Sequence, residues 1–155
     1  MKINLTICGV GELPEHMGKP WTHVVSIWEK RFAQDRDRHD IVRRVAPQAR
    51  HHFAFFEDTT DRAHPDAPRL ADIEKILDFT STLPTGAEVL VHCLAGISRS
   101  PAIAYAIVCQ HSKPGQERAN LKYIRSIRPF IMPNHLIVEW AEHVLERKGH
   151  MARHL

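Results

Sequence analysis

The feature that most restricts the fold of this chain is a repeated change between strand-type and helix-type patterning. Apolar residues form β-favouring runs at residues 24–28, 53–56 and 89–91, and they recur at helical spacing over 70–80 and 136–145. Strands that alternate with helices predict an α/β fold, with a mostly parallel central sheet of about four to five strands flanked by helices. In such folds a ligand binds beyond the carboxyl ends of the strands.

Capping and charged residues indicate where these elements end. Asn134 is predicted to cap the last helix and Gly149 to terminate it. The mixed-charge stretch 35–40 is predicted to be a solvated loop. Residues 1–155 are predicted to form a single domain, because a chain of 155 residues fits one domain of ordinary size.

Composition argues against several classes of protein. The formal net charge is +3 and the Lys and Arg residues are dispersed, so we expect no nucleic-acid partner. The longest apolar run, residues 102–109, is far shorter than the roughly 20 residues of a membrane-spanning helix, so no membrane association is expected. The absence of an export signal and an odd number of cysteines, three, favour free thiols and a cytoplasmic protein. No feature of the sequence predicts the oligomeric state.

One segment, between the predicted strand at 88–92 and a buried helix, carries chemistry. It reads, in order, His92, Cys93, Leu94, Ala95, Gly96, Ile97, Ser98, Arg99, Ser100 and Pro101. The backbone N–H groups of such a loop converge at a helix N-terminus, whose positive end binds anions. Gly96 lets the loop curl, and the planar guanidinium of Arg99 can bind two phosphoryl oxygens at once. The same positive field favours the thiolate of Cys93, which predicts a nucleophile beneath a bound phosphate.

This segment resembles the His-Cys-x-x-Gly-x-x-Arg-Ser signature of the cysteine-dependent protein tyrosine phosphatases, in particular the small dual-specificity type and its compact bacterial relatives. At lower specificity the resemblance extends over roughly residues 20–147 and includes Arg128, Pro133 and Asn134. It implies hydrolysis of phosphate monoesters through a cysteinyl-phosphate intermediate, chiefly phosphotyrosine in proteins, with phosphoserine and phosphothreonine as further candidates. It calls for no metal and no other cofactor.

The resemblance also implies a role for each residue of the segment. Cys93 is the implied nucleophile, Arg99 the ligand of the phosphoryl oxygens, and Ser100 the donor that helps the sulfur to leave. His92 is expected to fix the loop and the thiolate. The residues expected to surround the substrate phosphate are Leu94, Ala95, Gly96, Ile97, Ser98 and Arg99.

The reaction also needs a general acid, which protonates the leaving oxygen. No aspartate follows Cys93 in the sequence, so the acid is expected upstream. Asp58 directly follows the predicted strand at 53–56, which would deliver it to the sheet edge where the loop lies, and it is the first candidate. Asp61 is the second candidate and Asp66 the third, because the course of the chain after this strand is not defined by the sequence.

Two alternatives to a protein phosphatase stay open. The same pocket could serve a small metabolite or a nucleotide monoester. A non-catalytic phosphate-binding module is the other alternative, but it predicts loss of the nucleophile or of the arginine, and both Cys93 and Arg99 are present. The variable positions of the loop carry no basic residue, which favours a substrate with a single phosphate.

The other two cysteines are predicted to be core thiols. Cys109 lies about eleven residues along the predicted helix from Ser98, or roughly 16 Å, which is too far for reaction with Cys93. Ile3, Leu5 and Ile7 alternate with polar residues and predict a first strand, which Cys8 ends. A disulfide with Cys93 is the alternative for Cys8 if the two strands are adjacent and parallel.

Overall fold

Four parallel strands form the central sheet of the computed structural model, which describes residues 2–155. The strands are β1 (Asn4–Gly9), β2 (His23–Trp28), β3 (Arg50–Phe55) and β4 (Glu88–Cys93). Their order across the sheet is β1-β4-β2-β3, and every neighbouring pair is parallel. The prediction of an α/β fold with a mostly parallel sheet is therefore confirmed.

Helices connect the strands and follow the last one. The α-helices are α1 (Arg36–Val45), α2 (Leu70–Phe79), α3 (Arg99–Gln110), α4 (Glu117–Ile127) and α5 (His135–Leu145). Short 3-10 helices cover Val10–His16, Lys30–Phe32 and Ala152–His154. In the part of the chain that the structure describes, no helix has the length and apolar character needed to cross a bilayer.

The prediction of a solvated loop over 35–40 is wrong, because most of this stretch belongs to α1. The Asp35 side chain caps the helix by accepting a hydrogen bond from the N–H of Arg38 at 3.1 Å. Charged residues dominate α1, and its buried apolar side is short, with Val42 and Val45 as its apolar residues in the core. The sequence of α1 therefore shows a cluster of charged residues but no clear helical apolar period.

The end of α5 also differs from the prediction. Asn134 caps the helix as expected, since its side-chain oxygen accepts the N–H of Ile137 at 3.0 Å. The helix ends at Leu145 and not near Gly149, because Glu146 adopts a left-handed conformation with φ of 56°. A left-handed residue after the last turn ends a helix even where it is not glycine.

Helices cover both faces of the sheet. On one face α2, α3, α4 and α5 enclose a core that contains Val91 of β4 and Ile103 of α3. On the other face α1 and the 3-10 helix after β1 enclose a core that contains Leu90, Val42 and Leu13. Ten of the twelve residues of α3 are buried. The loop between β4 and α3 is therefore held between an interior strand and a buried helix.

Candidate active site

The loop between β4 and α3 curls around the thiol of Cys93. The thiol sulfur accepts the N–H of Gly96 at 3.3 Å, and it lies 3.1 Å from the hydroxyl oxygen of Ser100. Cys93 is buried at the carboxyl end of β4, and the N-terminus of α3 follows six residues later. Because the N-terminus of a helix carries partial positive charge, the loop is an anion-binding site that contains a sulfur atom.

Two glycines let the end of β1 approach this loop. Gly96 has φ of 71°, and a Cβ there would lie 2.6 Å from the carbonyl carbon of Cys8 and 2.6 Å from a guanidinium nitrogen of Arg128. A Cβ on Gly9 would lie 2.7 Å from the carbonyl oxygen of Leu94. Any side chain at either position would push the strand and the loop apart, so the shape of the loop depends on both glycines.

Arg99 is turned inward at the other side of the loop. Its Nη1 donates to the carbonyl oxygen of Phe56 at 2.9 Å and lies 2.8 Å from a carboxylate oxygen of Glu29. The side chains of Arg99 and Glu29 are only 5% and 8% exposed. Within residues 2–155, Nε and Nη2 of Arg99 have no hydrogen-bond partner. These two donors form the edge that can bind two phosphoryl oxygens.

The carboxylate of Asp58 lies beside the same loop. Its Oδ1 accepts hydrogen bonds from the hydroxyl of Ser98 at 2.7 Å and from the side-chain amide of Asn134 at 2.9 Å. Asp58 lines one cavity together with Cys93 and Arg99. The structure therefore brings the first candidate for the acid next to the loop that contains Cys93.

The other two candidates for the acid are engaged elsewhere. Asp61 accepts the N–H of Ala63 at 2.9 Å within an exposed turn. The carboxylate of Asp66 lies 3.7 Å from the ammonium group of Lys30 at the surface. Neither aspartate lines the cavity of Cys93. The geometry thus favours Asp58 among the three.

A buried hydrogen-bond chain holds His92 behind the loop. The indole N–H of Trp28 donates to Ser26 Oγ at 2.6 Å, Ser26 Oγ lies 2.5 Å from His92 Nε2, and His92 Nδ1 lies 3.3 Å from the carbonyl oxygen of Cys93. Because an indole only donates and a carbonyl only accepts, the Ser26 hydroxyl donates to Nε2 and the proton of the ring lies on Nδ1. Burial lowers the pKa of His92 to about 4. The ring is therefore neutral at neutral pH, and it fixes the backbone of Cys93 without adding positive charge.

We predict that His92 makes the protein less stable as the pH falls below neutrality. The unfolded chain takes up a proton at His92 near pH 6.5, whereas the native pKa is about 4. The free energy of unfolding should therefore fall between these pH values by a total of about 3 kcal/mol and level off below them. Urea unfolding of His92→Asn should show a shallower fall over this range than the wild type. The matched variant His150→Asn, at an exposed position, should keep the wild-type slope, and an unchanged slope in His92→Asn would contradict the prediction.

Arg128 links the back of the loop to the 3-10 helix after β1. Its Nη1 and Nη2 donate to the two carboxylate oxygens of Glu12 at 2.7 and 2.6 Å. Its Nε donates to the carbonyl oxygen of Gly96, and its Nη2 to that of Ala95, both at 3.1 Å. The hydrogen bonds from Arg128 lower the pKa of Glu12 to about 2. This pair, which we call the Glu12–Arg128 brace, holds the loop through its carbonyl groups, and neither residue lines the cavity of Cys93.

Cys8 and Cys109 are buried in the core, as predicted, and all three cysteines are free. Cys8 is paired in register with His92, so its side chain shares the face of His92 while Cys93 points to the other face. Burial, aided by the carboxylate of Glu12, raises the pKa of Cys8 to about 12, and burial raises that of Cys109 to about 11. Within residues 2–155, the structure shows no group of three or more His, Cys, Asp or Glu side chains that could hold a metal ion.

Several residues of the site were not predicted from the sequence. Glu29, Ser26 and Glu12 carry no motif, and each meets its partner across a long stretch of chain. The sequence predicts Asn134 as a helix cap and as part of the resemblance, but neither indicates that its amide binds the carboxylate of Asp58. The segment before α5 resembles the tyrosine phosphatases. This resemblance indicates Arg128 but not its partner, Glu12.

A parallel sheet whose interior strand delivers a cysteine into such an anion-binding loop defines the class of the cysteine-dependent phosphatases. The comparison with known families is more specific. The family model described as dual specificity phosphatase, catalytic domain, matches residues 35–143. The chain belongs to this family.

Individual relatives agree with this assignment. Tyrosine-protein phosphatase vhp-1 of Caenorhabditis elegans is 45% identical over 49 residues, which are 32% of this chain and only 7% of that protein. The human tyrosine phosphatase-like serine/threonine/tyrosine-interacting protein is similar in structure with a TM-score of 0.62 and 22% identity, over 91% of this chain and 90% of that one. The Yvh1 phosphatase domain of Chaetomium thermophilum is similar with a TM-score of 0.57 and 24% identity, over 96% and 93%. At these identities the two structures show a shared fold.

Proposed function

We propose that this chain hydrolyses phosphate monoesters in proteins, with phosphotyrosine as the principal substrate and phosphoserine and phosphothreonine as further ones. The observation that carries the proposal is a single cavity lined by the thiol of Cys93, the guanidinium of Arg99 and the carboxylate of Asp58. A nucleophile, an anion ligand and a proton donor are the groups that phosphoryl transfer to a cysteine requires. Membership of the dual specificity phosphatase family supports the same activity.

In the first step of the proposed reaction, Sγ of Cys93 attacks phosphorus. An S–P bond forms while the P–O bond to the substrate oxygen breaks. Nε and Nη2 of Arg99, with the N–H groups of the loop, bind the phosphoryl oxygens and stabilise the charge that develops on them. Ser98 and Asn134 both hold Oδ1 of Asp58, which leaves Oδ2 to carry the proton that passes to the leaving oxygen.

In the second step, water attacks the cysteinyl phosphate. The O–P bond forms, the S–P bond breaks, and the Asp58 carboxylate takes the proton of the water. The hydroxyl of Ser100, 3.1 Å from the sulfur, donates a hydrogen bond to the departing thiolate. Inorganic phosphate leaves, and Cys93 and Asp58 return to their starting protonation states.

The charges around the cavity favour a substrate with a single phosphate. The guanidinium groups that line it belong to Arg31 and Arg99, and the carboxylates to Glu29, Glu57 and Asp58. Because Glu29 is paired with Arg99, little positive charge is left to balance a second or third phosphate. A phosphorylated side chain of a protein meets this condition.

Release of inorganic phosphate from a matched substrate panel tests the proposal. The panel contains one peptide sequence carrying phosphotyrosine, phosphoserine or phosphothreonine, together with nucleoside monophosphates and sugar phosphates, all in EDTA. We expect the highest kcat/KM for the phosphotyrosine peptide. Preference for a nucleotide or a sugar phosphate would replace the proposal with a metabolite phosphatase. Absence of turnover with retained binding of a phosphopeptide would indicate a binding module.

Loss of the Glu12–Arg128 brace should weaken oxyanion binding. In Arg128→Ala the carbonyl groups of Gly96 and Ala95 lose their donor, so the loop no longer presents its N–H groups in a fixed arrangement. We expect the Kd for vanadate to rise about tenfold, which corresponds to about 1.4 kcal/mol. Isothermal titration with vanadate measures this. Arg125→Ala, an exposed position on α4, is the matched control, and wild-type affinity in Arg128→Ala would refute the role of the brace.

A further inference from the structure

Exposed large apolar side chains are concentrated in two segments, the loop that contains Cys93 and the stretch just before α5. Seven such residues are exposed within residues 2–155, and four of them lie either in the loop between β4 and α3 or just before α5. These four, which we call the apolar rim, are Leu94, Ile97, Phe130 and Met132. Grouped apolar side chains that remain exposed to water are typical of interaction surfaces. The apolar rim is therefore a candidate surface for binding a partner.

Backbone hydrogen bonds attach one part of the rim to the other. The N–H of Met132 donates to the carbonyl oxygen of Ile97 at 2.8 Å, and the N–H of Asn134 donates to that of Ser98 at 3.0 Å. The segment before α5 is thus fixed to the loop that contains Cys93. This attachment holds Met132 next to the loop of Cys93, although Met132 itself is 76% exposed.

A second cavity continues from the one that contains Cys93. Met132, Pro133 and His135 line this second cavity. The residues that line both cavities are Asp58, Thr59, Ile97 and Ser98. A substrate whose phosphate lies at Cys93 and whose chain extends past Asp58 would therefore pass over Ile97 and Met132.

Phe130 is the most exposed member of the rim, at 94%, and its backbone is in the left-handed region with φ of 63°. Bulky residues rarely adopt this conformation, because it crowds Cβ against the backbone. In the free protein the exposed ring of Phe130 makes no packing contacts that would offset this strain. Strained residues of this kind cluster at active sites and at sites that hold a ligand.

We propose that the apolar rim is a subsite for a large aliphatic side chain next to the phosphorylated residue of a protein substrate. This inference rests on the proposed function and specifies the class of peptide that the site accepts. Leu94, Ile97 and Met132 of the rim line the phosphate cavity or the cavity that continues from it, so the occupant of the rim is part of the same substrate. Glu57 and Asp58 border the cavity, and they disfavour acidic residues beside the phosphate. An extended phosphopeptide with an aliphatic neighbour fits both observations.

Two synthetic phosphotyrosine heptapeptides test the subsite. They are identical except that the residues immediately before and after phosphotyrosine are Leu in one and Ser in the other. For the wild type we expect about a tenfold higher kcat/KM for the Leu peptide, the discrimination typical of a partly enclosed apolar side chain. Met132→Ser should lower this ratio below about threefold. Phe130→Gly should do the same while keeping the fold, because glycine adopts a positive φ without strain.

Met17→Ser is the matched control, since Met17 is exposed and lies outside the rim. It should keep the wild-type ratio. Turnover of para-nitrophenyl phosphate by the wild type tests the proposed function separately. If this ester is hydrolysed and the two peptides have equal kcat/KM, the subsite is refuted and the function stands. If nothing is hydrolysed, the proposed function fails. Binding of the two peptides to Cys93→Ser, measured by fluorescence polarisation, then decides: a Leu preference supports the subsite, and equal or absent binding refutes it.

Discussion

The Cys93→Ser variant should hydrolyse para-nitrophenyl phosphate at least about 10⁴-fold more slowly than the wild type, because removal of a covalent nucleophile eliminates the main reaction path. A serine hydroxyl keeps nearly the same shape, but it is a much weaker nucleophile than a cysteine sulfur. The inward position of Arg99 does not depend on sulfur, and a serine hydroxyl oxygen can accept the N–H of Gly96 in place of the sulfur. Binding of tungstate, an oxyanion of similar shape, should therefore persist in the variant.

Steady-state kinetics in EDTA and titration with tungstate separate these two effects. Cys109→Ala is the matched control, because it removes a buried thiol of α3 outside the cavity. It should keep turnover, and circular dichroism checks that both variants are folded. Turnover within about tenfold of the wild type in Cys93→Ser would place the nucleophile elsewhere. If Cys93→Ser loses both turnover and tungstate binding, the sulfur is also required for the conformation of the loop.

The loop could be predicted from the sequence because its parts are contiguous. Strand, cysteine, glycine, arginine and helix follow one another over residues 88–110, so their spatial relation is determined by local chain geometry. The helical and strand periods likewise predict the sheet and the helices α2 and α5, and the apolar run at 102–109 predicts α3. The helix α1 was missed, because its charged face outweighs the few apolar residues that it buries.

Contacts between distant parts of the chain could not be predicted in this way. Glu29 meets Arg99, and Glu12 meets Arg128, only after the strands have assembled in the order β1-β4-β2-β3. A single carboxylate on a turn carries no periodic signal, and solvated surface carboxylates look the same in sequence. The choice between Asp58 and Asp61 was open for a related reason, since it depends on the course of an irregular segment.

The residues of this chain that match the family model do not include all residues of the candidate site. The family model covers residues 35–143, but Glu12, Ser26 and Glu29 lie before this range and contact the loop, His92 and Arg99. The N-terminal segment thus completes the support of the anion-binding loop. Variation in this segment can change how firmly the loop is held without altering the loop sequence.

Loss of the carboxyl group in Asp58→Ala should have an effect that depends on the leaving group. For phenyl phosphate, whose phenolate leaves poorly, we expect kcat/KM, which reports the step that expels the phenolate, to fall by about 10²-fold or more, the usual contribution of a general acid. For para-nitrophenyl phosphate the loss should be smaller, because its phenolate departs without full protonation. The variant should therefore show a steeper dependence of kcat/KM on the acidity of the leaving phenol than the wild type.

A series of substituted phenyl phosphates measures this dependence, and Asp61→Ala is the matched control. Asp61 lies three residues further along the same segment but outside the cavity of Cys93, so its variant should follow the wild-type line. A steep line for Asp61→Ala and a wild-type line for Asp58→Ala would show that the segment rearranges when substrate binds. The hydrogen bonds from Ser98 and Asn134 argue against such a rearrangement, because both would have to break before Asp58 could leave the loop.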